Sequence, residues 1–179
     1  MFWGNSPHGP VIFKMQKMVI GKLMGTGYRE SCRGLFKDLK ILPFSSQYIL
    51  SLLLFVVLNR GYFAPNSVYH NCNTRQKNDL HLPHVSLTMY QRGVFYSSIR
   101  VFNALPSPIK DISGNPKKFK VVLQHYLLTH SFYNLDEFFS EQNALTYVML
   151  DANYIVQILI FITLISVAIY SLFYNYYSS

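Results

Sequence analysis

Residues 48–58 read YILSLLLFVVL, a run from Tyr48 to Leu58 that carries no charge and only one serine, Ser51. At ~1.5 Å of rise per residue a helix of this length spans ~17 Å, little more than half of a ~30 Å hydrocarbon core. It is too short to cross a bilayer, and a helix apolar on every side cannot face water. The run therefore predicts a buried core helix, ending at Asn59-Arg60-Gly61, which its neighbours must cover.

Those neighbours can be sought on both sides. From Val11 to Met24 the apolar positions Ile12, Met15, Val19 and Leu23 form one helical stripe, with Lys14, Lys17 and Lys22 outside it. Gly25-Thr-Gly27 stops this helix. Ser31 can cap a shorter one carrying Leu35, Phe36 and Leu39, closed by Pro43. Beyond the central run, residues 62–88 are dense in Asn, His, Pro and charge and read as an extended polar connector. Short strands are expected there near Leu80–Leu82 and Val85–Leu87. Gln91–Ala104 returns to helical spacing, with Phe95, Ile99 and Phe102 on one face, until Pro106 and Pro108 end it. Asn115-Pro116 is the clearest helix start, a favoured cap followed by a proline whose missing N–H costs nothing in the first turn. Phe119, Val122, Leu123, Tyr126 and Leu127 follow at helical intervals.

The fold class expected is thus mainly α: a small helical domain with a long polar connector. Residues 1–10, rich in Gly, Pro, Asn and Ser, form a disordered lead-in; residues 11–140 form the helical region; residues 141–153 form a linker. A separate C-terminal helix of transmembrane type follows over residues 154–174. That stretch is free of charge and spans ~31 Å as a helix, with tyrosines at both ends like an interfacial belt. A single-pass C-terminal anchor with the body in the cytosol is the localisation this implies; an intracellular soluble or nuclear protein is the alternative.

Charge divides the chain. All 16 Lys and Arg residues lie between Lys14 and Lys120, where only four acids accompany them, so residues 1–120 carry +12. The remainder has four acids, no Lys or Arg, and a charge of −4. A basic body suits a polyanion, and RNA or DNA is the expected partner of this part. Lys117, Lys118 and Lys120 stand in the first turn of a helix, where the dipole disfavours cations; either the surroundings tolerate them or a negative partner offsets the cost.

Catalytic signals are missing. There is no Asp-Asp dipeptide, and the adjacent acids Asp136-Glu137 read as a solvated face rather than as a pair for metal ions. Gly25 and Gly27 lack the third glycine and the preceding strand of a dinucleotide turn. His70, Cys72, His81 and His84 lie within fifteen residues, but their spacing brackets no zinc knuckle. No cofactor and no metal are expected, and the two cysteines make no disulfide framework.

The order of several short blocks carries a resemblance. Phe13-Lys-Met-Gln-Lys17 is followed by Arg29-Glu-Ser-Cys-Arg33, then by Leu35-Phe36 and Leu39-Lys-Ile-Leu-Pro43. Asn73-Thr-Arg75 comes next with Asn78-Asp-Leu80 and Leu82-Pro83, then Phe102-Asn-Ala-Leu-Pro106 with Ile109-Lys110. Lys118-Phe-Lys120, Leu123, Tyr126-Leu-Leu128 and Phe132-Tyr133 close the series. In this order, across residues 13–139, the blocks resemble the region that follows the polymerase domain in Jockey-like non-LTR retrotransposons. The resemblance implies descent from an RNA-directed DNA polymerase open reading frame. It also implies a non-catalytic fragment, because the family's endonuclease, fingers, palm and metal-binding carboxylates lie upstream of these blocks and match no position here. Residual nucleic-acid binding would then fall to Arg75, Lys77, Arg92, Arg100, Lys117, Lys118 and Lys120. The alternative is a small tail-anchored membrane protein, held through residues 154–174.

Overall fold

The computed structural model describes residues 6–27, 31–69 and 79–142. Two compact units divide the chain, residues 1–139 and residues 140–179, and only 140–142 of the second are described. The described part is mainly helical with no strand, only one isolated bridge. Arg75, Lys77, all of the linker expected at 141–153 except its helical residues 141–142, and the apolar run at 154–174 lie outside the described residues, and among those described no helix is long and apolar enough to cross a membrane.

The central apolar run is the middle of the fold, as its composition requires. The helix α1 spans Gly9–Met24, α2 Arg33–Asp38 and α3 Phe44–Leu58. Ile49, Leu50, Leu52, Leu53, Val56 and Val57 of α3 are all buried. At ~1.5–3 kcal/mol for each such side chain, their burial supplies on the order of 10 kcal/mol as an upper estimate, far more than any cap can. The cover comes mainly from α6 (Val94–Asn103) and α8 (Pro116–His130), with α1 on a further side.

α3 starts four residues earlier than the apolar run, because its first turn is held by side chains from elsewhere. Pro43 provides no side-chain cap. Instead, the Gln16 amide of α1 accepts from the Phe44 N–H at 2.9 Å and donates to the Leu42 carbonyl at 3.0 Å, gripping the chain on both sides of Pro43. The hydroxyls of Ser45 and Ser46 donate to the carbonyls of Tyr133 (2.7 Å) and Phe132 (3.2 Å). These two hydroxyls tie the start of α3 to the end of the unit.

α8 matches its expected start. Asn115 caps it by accepting from the Lys118 N–H at 3.2 Å, and Phe119, Leu123 and Leu127 are fully buried on its inner face. Ser131, in the left-handed region at φ 52°, ends the helix.

Several elements differ from the sequence expectation. The helix expected over Gln91–Ala104 starts later, as α6 at Val94, and Gln91 instead ends a separate short helix, α5 (Thr88–Gln91), parted from α6 at Gly93. A Cβ at Gly93 would meet the Tyr90 carbonyl oxygen at 2.9 Å, so any larger residue would force the backbone here to shift. Pro106 and Pro108 do not merely stop a helix; Pro106 precedes α7 (Ser107–Asp111) and Pro108 sits in its first turn, where a missing N–H is harmless. Cys32 rather than Ser31 stands at the N-cap position of α2 and makes no side-chain cap, while Ser31 accepts only a long 3.4 Å bond from the Arg33 N–H.

The expected strands reduce to one bridge. Pro65 pairs with Leu80, through an Asn66 N–H to Asp79 carbonyl bond of 2.8 Å and a His81 N–H to Ala64 carbonyl bond of 2.9 Å. A short helix α4 (Asn66–Tyr69) follows the first partner, and Val85–Leu87 form no strand.

The largest correction concerns α1. Its apolar stripe faces solvent: Ile12 is 41% exposed, Met15 58%, Val19 51% and Leu23 74%. The face turned inward is the other one, Phe13, Gln16, Lys17 and buried Ile20. Periodicity identified the stripe and could not tell which side of the helix the domain would use.

Candidate nucleic-acid interface

Two polar assemblies pull distant parts of the chain together. In the first, the Asn103 amide at the end of α6 accepts from the Leu80 N–H and donates to the Leu80 carbonyl, both at 2.8 Å. The side chain thus occupies the edge that a second strand would take. Lys110 of α7 donates to the Asp79 carboxylate at 2.9 Å and to the Asn103 carbonyl at 2.6 Å, locking the same corner.

In the second, Phe13 of α1, Phe36 of α2 and Tyr133 form an aromatic group, with ring centroids 4.7 Å apart for Phe13–Tyr133 and 6.2 Å for Phe36–Tyr133. Lys17 stands 4.8 Å from the Phe13 centroid, and the Arg33 guanidinium stands 4.5 Å from that of Tyr133. Glu137 closes the group. Its carboxylate meets Arg33 at 2.6 Å and accepts from the Tyr133 N–H at 2.8 Å, while its own N–H donates to Asn134 Oδ1 at 2.7 Å. Asn134 and Glu137 therefore cap the helical turn that begins at residue 135. Glu137, expected as half of a solvated acidic pair, is a structural residue. Burial works against the charge on Arg33, but the bond to Glu137 and its negative charge outweigh it and hold the guanidinium above its usual range. Burial pushes the phenol of Tyr133 up, opposed by the positive charge of Arg33.

Beside this second assembly lies an open cleft of about 750 Å³, between the start of α1, the start of α3, α6 and residues 133–139. Lys17, Arg92 and Arg100 line it, with Asp136 as the one acid. Its walls include Phe13, Phe44, Tyr48 and Phe139, and the Arg100 guanidinium lies 4.8 Å from the Phe139 centroid. Cations beside aromatic faces suit a strand of nucleic acid, with phosphates on the cations and bases on the rings.

The structure thus brings together Arg92 and Arg100 of the candidate contacts. It adds Lys17, which the sequence placed in solvent beside the stripe of α1; its position four residues after Phe13, on the same helix face, was the available signal. Lys117, Lys118 and Lys120 are exposed on the first turn of α8 and do not line the cleft. Among the described residues the two ion pairs are Arg33–Glu137 and Lys110–Asp79, so the three lysines and Arg100 enter neither. Among the described residues no three of His, Cys, Asp and Glu come together as a metal-holding group. His81 stacks on Tyr69 with centroids 4.0 Å apart. His70 and Cys72 lie outside the described residues.

Compared with protein-family models, curated proteins and solved structures, the chain matches none of them.

Proposed function

We propose that this chain is a non-catalytic helical module, derived from the C-terminal region of a Jockey-like retrotransposon reverse transcriptase, that binds RNA or DNA through its basic side chains. The observation that carries the reading is where the blocks behind the resemblance go. Asp79, Leu80, Asn103 and Lys110 come from two of them and meet in one hydrogen-bonded corner. Phe13, Lys17, Arg33, Phe36 and Tyr133 come from three others and meet in one aromatic and cationic group. Blocks whose residues hold a fold together, with the basic residues of α6 and α8 left at the surface, support a module that positions nucleic acid rather than one that transforms it.

The test is a titration of the full chain with single-stranded RNA and DNA over a salt series. Log affinity should fall linearly with log salt, by ~0.7 per phosphate contact on a single strand. Replacing Lys117, Lys118 and Lys120 together by glutamine should reduce that slope by about 2. Binding that is undetectable, or indifferent to salt, would overturn the proposal. The second reading, a tail-anchored membrane protein, is favoured by the uncharged run of residues 154–174. Resistance of the expressed chain to alkaline carbonate extraction supports it, and release counts against it.

A further inference from the structure

The outward face of α1 is apolar and wide, and no described residue covers it. Val11, Ile12, Met15, Met18, Val19 and Leu23 are each between 41% and 74% exposed. At 100° per residue they fall within an arc of about 140°, on a helix ~24 Å long. Six large apolar side chains turned to water along one helix mark a surface that something covers. The opposite face is fixed to the domain by the Gln16 bonds to Leu42 and Phe44 and by the Phe13–Tyr133 contact, so the apolar face is held outward as a ridge, with Val11, Met15 and Met18 bordering an open groove of about 920 Å³ shared with Thr26, Ser31 and Cys32.

Charge decides what covers it. α1 carries Lys14, Lys17 and Lys22 and not one acid, and Lys14 and Lys22 are exposed beside or within the apolar arc. A second copy of the chain would bring these lysines against their own kind. A nucleic-acid backbone would satisfy the lysines but bury none of the alkyl surface. An anionic bilayer does both, taking the apolar side chains below the headgroups while the lysines meet lipid phosphates and carboxylates. We propose that α1 lies in the plane of a negatively charged membrane surface and docks the domain on it, independently of the nucleic-acid reading.

The experiment uses the full chain, whose single tryptophan, Trp3, can be replaced so that one probe reports from the ridge. A Trp3→Phe, Val19→Trp protein is titrated with phosphatidylcholine vesicles with and without phosphatidylserine. Tryptophan emission should shift to the blue only when phosphatidylserine is present. Lys14→Gln with Lys22→Gln should weaken that partitioning about thirtyfold, from roughly fivefold per lysine near the surface. Met15→Glu should abolish the shift while leaving the helical circular dichroism intact. An unchanged emission, or an equal shift with neutral and anionic vesicles that ignores Met15→Glu, overturns the proposal. A concentration-dependent shift without vesicles assigns the ridge to a second copy and overturns it as well.

Discussion

Asn103 holds Leu80 by both of its backbone groups, and replacing it by alanine would leave a buried N–H and a buried carbonyl without their partners. Leu80 is 4% exposed, so water cannot substitute without opening the corner. Each bond contributes ~1 kcal/mol net, and each buried group left unsatisfied costs ~1–3 kcal/mol. Asn103→Ala should therefore destabilise the fold by about 2–4 kcal/mol, a large share of the ~5–15 kcal/mol typical of a domain. Urea unfolding of the full chain, followed by far-ultraviolet circular dichroism, should show a lowered midpoint at unchanged slope, the sign of lost stability rather than altered compactness. Arg100→Gln on the same helix is the control and should stay within about 0.5 kcal/mol of the parent. Asn103→Asp keeps the acceptor for the Leu80 N–H but sets a carboxylate against the Leu80 carbonyl, so it should fall below the parent too. A midpoint for Asn103→Ala indistinguishable from the parent would refute the assignment of this amide as a substitute strand.

Three further outcomes follow from the geometry. Burial raises the phenol of Tyr48 above the usual range, opposed by its bond to Ser97; the folded state therefore holds that proton longer than the unfolded chain, and stability, full below about pH 10, should fall as pH rises beyond it. Tyr48→Phe should flatten that alkaline loss in pH-dependent thermal melts, and an unaltered slope counts against the assignment. Asn115→Ala removes the one side-chain cap of α8 and should cost about 1 kcal/mol in chemical denaturation, recovered in large part by Asn115→Asp. Glu137→Ala loses the Arg33 pair and the acceptor for the Tyr133 N–H together and should cost about 1–2 kcal/mol, whereas Arg33→Ala, at a side chain 41% exposed, should cost less than about 1; equal losses in the two melts would show that the backbone bond adds nothing.

The sequence carried the fold where burial leaves no choice. An uncharged run such as Tyr48–Leu58 has only one environment open to it, and Asn115-Pro116 places the start of α8. What the pattern lacks is direction. α1 has a clear helical period, but period alone does not say that Phe13, Gln16 and Ile20 face the domain while Met15 and Val19 face out. Side chain to backbone bonds are equally silent in sequence. Gln16 and Asn103 look like ordinary surface amides until residues 26 and 23 positions away in the chain are brought beside them. The candidate interface was legible as charge and not as place. Arg92 and Arg100 share a cleft with Lys17, which no spacing rule joins to them, and Lys117, Lys118 and Lys120 stand apart from it.

The bonds from Ser45 and Ser46 to the carbonyls of residues 132 and 133, and the Tyr133 ring against Phe13 and Phe36, bear on the order in which the molecule can be made. A ribosome delivers α1, α2 and α3 long before it delivers residues 132–137, at ~5–20 residues per second. Over that interval of several seconds Phe13 and Phe36 lack their lid, and the first turn of α3 has only Gln16 to hold it. The nascent chain thus passes through a stage in which its most apolar helix is complete and its clasp is not. Holdase chaperones should engage that stage most strongly, and a transcript truncated before Phe132 should yield insoluble protein even though every residue of the central helix is present.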